Sequence, residues 1–279
     1  MLKNIFKKLI KPKPGELIEA CSSEEISLFR VKELLARGAD INEKNNCDAT
    51  SLIFSSGFGH YDLARLLIEK GAALNEKDDN SNTALISASI WGHADTARLL
   101  IEKGAKLDEK NNNGRTALMI AAQAGSREIV QLLIDGGAKL DEKDALGYTP
   151  LIKACSLGAR ATVRSLIEGG ADIDEKGNSG WAPIVWVSWF GHSDNLSLLL
   201  EKGVRLDDED GRANEALSNA KIQQHADVAA MLEGAIKKHA EEKANKQAAV
   251  EQERQKIMQQ VADPKLRRPL RVRQIIEIK

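Results

Sequence analysis

The strongest constraint on this chain is a seven-residue motif that returns every 33 residues. Gly104-Ala105-Lys106-Leu107-Asp108-Glu109-Lys110 has counterparts starting at Gly38, Gly71, Gly137 and Gly170, with a worn copy at Gly203. A fixed period of this length marks an array of small supersecondary units. Each unit is too small to bury its own apolar face and is covered by its neighbours.

Between motifs the units align residue for residue. Their first segments open Thr50-Ser51-Leu52, Thr83-Ala84-Leu85, Thr116-Ala117-Leu118, Thr149-Pro150-Leu151 and Ala182-Pro183-Ile184. A Thr there caps a helix by accepting from a backbone N–H. Pro at the next position suits the first turn. Ala182 has no capping oxygen, so its helix is expected to start less firmly. A break follows at Gly59, Gly92, Gly125, Gly158 and Gly191. Second helices come next, with Leu66-Leu67, Leu99-Leu100, Leu132-Leu133 and Leu198-Leu199 on the buried side and Ser165 interrupting the column. Each ends near the motif glycine, which suits a left-handed helix terminus.

The period, the Thr-x-Leu start, the Gly-His break and the Gly-Ala-Asp-Ile-Asn type of close resemble the ankyrin-repeat family over about residues 15–234. The resemblance implies a mainly α fold: an α-solenoid of helix pairs joined by β-turn fingers, about seven repeats with degenerate terminal caps. Residues 15–45 read as the worn first repeat. Leu17, Ile18, Ala20 and Cys21 suit one helix, Val31, Leu34 and Leu35 the other, and the segment between them is about two residues longer than elsewhere. Glu215-Ala216-Leu217 through Met231-Leu232, with Gln224 at the break, reads as the closing cap. Where the family usually places His after Thr-Pro-Leu, this chain has Ile53, Ile86, Met119, Ile152 and Val185, which are expected to pack instead.

Outside the repeats, residues 1–14 form a basic amphipathic segment. Leu2, Ile5, Phe6, Leu9 and Ile10 share one helical face and lysines take the other. This segment suits an interfacial helix on anionic lipid, a partner-docking helix, or simply an extra helix on the first repeat. Residues 235–262, free of Gly and Pro and rich in Ala, Lys, Glu and Gln, read as a charged C-terminal helix. It either extends the array in solvent or serves as a dimer arm. Residues 263–279 form a basic tail, read as loose chain, a short strand or a docking peptide.

Charge is distributed unevenly along the chain. Residues 1–14 carry five Lys and no acid, residues 235–279 carry twelve Lys or Arg and six Asp or Glu, and the chain nets −1, which leaves −12 on residues 15–234. An acidic centre argues against nucleic-acid binding by the repeat domain, because phosphate neutralisation needs a basic footprint. Cys21, Cys47 and Cys155 are an odd number without a CxxC pair, which fits a reducing, cytoplasmic setting. No run of 18 apolar residues is present.

Four His-x-Asp triplets, His60/Asp62, His93/Asp95, His192/Asp194 and His225/Asp227, invite a catalytic or metal reading. They occupy one slot of four repeats, so they form a row and do not converge. They are read as parts of the inter-helix turn. No phosphate loop, zinc spacing or nucleophile elbow is present, so neither an enzyme nor a cofactor is expected. The repeated Glu-Lys pairs read as a solvated edge without function.

The resemblance implies that partners are engaged by the finger tips and the exposed end of each first helix. Six of the eleven aromatics fall in those slots: Phe58, Trp91, Tyr148, Trp181, Trp189 and Phe190. With Arg115 and Leu146 they make up the expected partner-binding set. Packing of Trp186, Trp189 and Phe190 against the closing cap is the alternative for that cluster. The expected function is a monomeric protein-binding scaffold holding a protein or peptide on its concave face. The second reading is an adaptor recruited peripherally to membranes through residues 1–11 and the basic tail.

Overall fold

The computed structural model describes residues 11–22, 27–207 and 211–262. The N-terminal face read over residues 2–10, most of the longer segment of the first repeat and the tail 263–279 lie outside them. The chain divides into two compact units, residues 1–229 and 230–279. The described residues hold fourteen helices and no sheet, only an isolated bridge between Lys44 and Thr50.

The first unit is built from helix pairs. They are α1 Glu16–Ser22 with α2 Leu28–Ala36, α3 Ser51–Gly57 with α4 Tyr61–Glu69, and α5 Ala84–Trp91 with α6 Ala94–Glu102. Next come α7 Ala117–Gln123 with α8 Arg127–Asp135, α9 Pro150–Leu157 with α10 Arg160–Glu168, and α11 Pro183–Trp189 with α12 Ser193–Glu201. The last first-helix is α13 Arg212–Ile222. First helices stack on first helices and second helices on second helices. The core lies between these rows, where Leu52, Leu63, Leu85, Leu100, Leu118, Met119 and Leu133 are fully buried. Ile53, Ile86, Met119, Ile152 and Val185 are all buried, so packing does replace the family's histidine network.

Thr50, Thr83, Thr116 and Thr149 each accept from the N–H three residues on, at 3.3 Å. Ala182 holds the same extended backbone without a side-chain bond, and α11 still forms, begun by Pro183. The closing repeat departs most. Its first helix starts at Arg212, four residues before the aligned start at Ala216, behind a left-handed Gly211, and Arg212 pairs with Asp174 of the Gly170 motif. Gln224 takes the left-handed conformation (φ 60°) that Gly59, Gly92, Gly125, Gly158 and Gly191 hold in the five middle repeats.

The seven-residue motif staples neighbouring repeats as well as closing its own. Oδ1 of Asn42, Asn75, Asp108, Asp141 and Asp174 accepts from the backbone N–H of Ala73, Lys106, Lys139, Asp172 and Arg205, one repeat on. Lys44, Lys77 and Lys110 donate to the carbonyls of Lys77, Lys110 and Lys143. They also pair with Glu76, Glu109 and Glu142 of the next repeat at 3.1, 2.7 and 2.7 Å. The solvated-edge reading of these residues is therefore corrected: partly shielded between repeats, they tie each unit to the next.

In the second unit the described residues, 230–262, are all helical and belong to α14, Ala226–Ala262. Gly234 lies inside that helix and does not end it, at a cost of about 0.5–1 kcal/mol. Its side chains are mostly exposed, Val250 and Met258 among them. Pairs within a helical turn, such as Lys238–Glu242 and Lys256–Glu253, support it locally.

Candidate functional site

Four of the fingers are each folded by one side chain; the fifth has Gly177 in that slot and closes through backbone bonds. Oδ1 of Asn45, Asp78, Asn111 and Asp144 accepts two backbone N–H groups, from the residues two and four further on. The fingers then bond to each other: the N–H groups of Asp79, Asn112 and Ala145 donate to the carbonyls of Cys47, Asn80 and Asn113 at 2.9–3.0 Å. This backbone ladder fixes a face on which the last finger residue and the outer turn of the first helix vary from repeat to repeat. The last finger residues are Ala49, Asn82, Arg115, Tyr148 and Trp181.

At one end of the face, Phe58 is 60% exposed and rests on Phe54 and His60, with ring centroids 4.6 and 5.9 Å apart. Trp91 is 69% exposed and leans over the bare backbone of Gly57. In the middle lies a cavity of about 480 Å³ lined by Asn80, Asn82, Ile90, Asn111–Asn113, Arg115, Ile120, Gln123 and Ala124.

Beyond the cavity sits a buried charge cluster. The Asp144 side chain is 1% exposed, with the Lys153 ammonium at 2.9 Å, off the ideal hydrogen-bond direction, and Arg115 Nε at 3.7 Å. Burial pushes the Asp144 carboxyl up. The Lys153 contact and the N–H groups of Tyr148 and Leu146 outweigh burial and hold it below its ordinary value. Lys153 also lies 4.6 Å over the Tyr148 ring.

At the far end five rings pack together. Trp186 is the hub, 5.3 Å from Tyr148, 5.1 Å from Trp181 and 6.1 Å from Phe190, and Trp181 is 5.5 Å from Trp189. Phe190 is 44% exposed. The expectation of open slots needs correction here. Tyr148, Trp181 and Trp189 are half-buried, because Trp186 fills the space that Lys153 or Ile120 takes in earlier repeats and draws the rings together. Trp186 Nε1 is shielded from water without a hydrogen-bond partner among the described residues.

Of the expected set, Tyr148, Trp181, Trp189 and Phe190 are brought together. Phe58 and Trp91 stand apart on earlier repeats. Leu146 is 58% exposed at a finger tip, and Arg115 is tied to Asp144. Lys153 and Asp144 were missed, and Trp186 was named only in the alternative of packing against the closing cap. Asp144 was visible as a 33-residue column with Asn45, Asp78 and Asn111; the contacts of Trp186 with Tyr148 and Trp181 had no sequence signal.

Three of the five histidines serve the turns. Nε2 of His93, His192 and His225 reaches the carbonyls of Gly57, Ser156 and Trp189 at 3.1–3.2 Å, which requires the proton on Nε2. Each ring fills the space beside a left-handed glycine of the preceding repeat, Gly59, Gly158 and Gly191. Burial pushes the thiol of Cys21 up to about 11 and that of Cys155 up as well, away from nucleophile chemistry. Among the described residues no group of three or more His, Cys, Asp or Glu could hold a metal. Nor is any helix among them long and apolar enough to cross a membrane.

The family model "Ankyrin repeats (3 copies)" matches residues 17–111, 105–177 and 130–210. No curated protein matches the chain. With helix pairs, stapling motifs, histidine-filled turns and a family match over residues 17–210, the chain belongs to the ankyrin-repeat family, whose repeats are generally protein–protein interaction modules.

Proposed function

We propose that the first unit holds a protein or peptide partner on the face made by its fingers and first helices, the concave side of an ankyrin array. Holding the partner inhibits it or recruits it elsewhere. The observation that carries this reading is the five-ring cluster of Tyr148, Trp181, Trp186, Trp189 and Phe190, left partly in water. A contiguous apolar patch of this kind marks an interaction site, and Trp, Tyr and Arg are the typical hot-spot residues. Trp91, Tyr148, Trp181, Trp189 and Phe190 act as anchors, Phe58 and Leu146 add apolar area, and Arg115 is a polar contact. The −12 charge over residues 15–234 supports a partner with a basic or mixed surface.

Replacing Trp91, Trp181 and Trp189 together by Ala tests this. The expected result is unchanged helicity by circular dichroism and loss of every partner that the wild-type chain captures from a native extract. Partners that all survive the triple change overturn the assignment.

The basic amphipathic segment 1–11 supports a second reading, recruitment to an anionic membrane surface. Full-length chain is then expected to float with phosphatidylserine vesicles while chain lacking residues 1–14 stays behind; equal behaviour removes this reading.

A further inference from the structure

We propose that the cavity between the fingers of the third and fourth repeats reads a carboxylate, with Arg115 as the group that recognises it. This inference rests on the partner-binding reading above and names one feature of the partner: an acidic side chain or chain end within its bound segment.

The walls of the cavity are built by amides already engaged. Asn82 Nδ2 donates to Asp78, Asn111 Nδ2 to Asn82 Oδ1 at 3.2 Å, and Asn112 Nδ2 to the Asp79 carbonyl at 2.9 Å. Asn112 Oδ1 accepts from Ser81 Oγ. The side chains of Asn80, Asn113 and Gln123 line the same cavity and make no hydrogen bond among the described residues. Ile90 and Ile120 add an apolar wall suited to a methylene stem. The volume, about 480 Å³, lies in the range of small-ligand pockets.

Arg115 is held in place but not saturated. Its Nε is shielded and has no hydrogen-bond acceptor among the described residues, and Asp144 Oδ2 at 3.7 Å is too far for a good one. The Asp144 charge is already matched by Lys153 at 2.9 Å and by the N–H groups of Leu146 and Tyr148. Asp78 is likewise engaged, accepting from the N–H groups of Asn80 and Asn82 and from Asn82 Nδ2. Arg115 is therefore the one cation among the cavity-lining residues, with a planar fork that matches a carboxylate in bidentate fashion. The unpaired amides of Asn113 and Gln123 add donors for the same oxygens.

The test is a titration of the isotopically labelled full chain, followed through the Arg115 Nε–H and the side-chain amides of Asn113 and Gln123. The probes are N-acetylglutamate N-methylamide, its glutamine counterpart, N-acetylglycine and inorganic phosphate. Saturable shifts with the glutamate probe, at least about tenfold tighter than with glutamine, are expected. N-acetylglycine binding tighter than the glutamate probe supports the pocket and makes a chain end its source. Arg115→Met is expected to abolish the preference for glutamate over glutamine. It keeps the finger intact, because the backbone N–H of residue 115, not the side chain, bonds Asn111. Phosphate binding tighter than both carboxylates, or no saturable shift with any carboxylate, overturns the inference. The Trp91, Trp181 and Trp189 substitutions are expected to leave this titration unchanged, so the pocket and the wider binding face fail independently.

Discussion

Asp144 shows what a single residue does here. It folds its finger through two backbone N–H groups and anchors Lys153, itself only 7% exposed. Removing one partner of such a pair leaves the other charge stranded, so Lys153→Met is expected to destabilise by about 3–5 kcal/mol. The double change Lys153→Met with Asp144→Asn should recover part of that loss in urea unfolding. The depressed Asp144 pKa adds a pH signature. A carboxyl depressed in the fold stabilises above its unfolded pKa, and that contribution is lost as pH falls through the folded value. Stability is therefore expected to drop below about pH 4, near the unperturbed Asp value, and Asp144→Asn to flatten the drop. Gly147 makes a sharper steric test. At φ +79° its missing Cβ would lie 2.6 Å from the Asn178 backbone nitrogen, whereas Gly137 at φ +85° faces open space. Gly147→Ala is expected to cost about 1–3 kcal/mol more than Gly137→Ala, the overpacking excess over shared backbone strain. The Asp144 column was legible as a 33-residue spacing. The pairing with Lys153 was not, because it depends on one repeat placing a cation where others place Ile120 or Ser87.

Helices and turns were the most legible scale, since caps and breaks are local chemistry. The four Thr caps stand where Thr-x-Leu predicted. Ala182 shares their backbone geometry without their bond, so Ala182→Thr is expected to add about 1 kcal/mol in thermal unfolding. Gln224 holds a left-handed turn that the five middle repeats give to glycine. Gln224→Gly is expected to stabilise by about 1 kcal/mol, relieving that strain. What escaped the sequence was where elements merge or shift. The closing helix starts early at Arg212 because its partner, Asp174, lies a repeat away. The charged segment and the last second helix are one helix because Gly234 is tolerated inside it. Neither fact is written in nearest neighbours.

At the scale of the molecule, one 33-residue ruler separates what builds the array from what individualises it. The motif residues, the histidines and the finger-folding Asn and Asp recur because each repeat must meet the next in the same way. Tyr148, Trp181, Trp189 and Phe190 were legible as departures from that pattern. Their gathering around Trp186 was not, because side-chain packing across two repeats has no one-dimensional signature. The central claim is that a partner lies along the finger and first-helix face. It is tested most directly by site-specific photo-crosslinking in a native extract. A photoreactive residue replaces Ala124 or Phe190 on that face, and Glu128 or Gln131 on the second helix α8, all four exposed. The account predicts discrete adducts from positions 124 and 190 and none from 128 and 131. Adducts from the second-helix positions alone would contradict it.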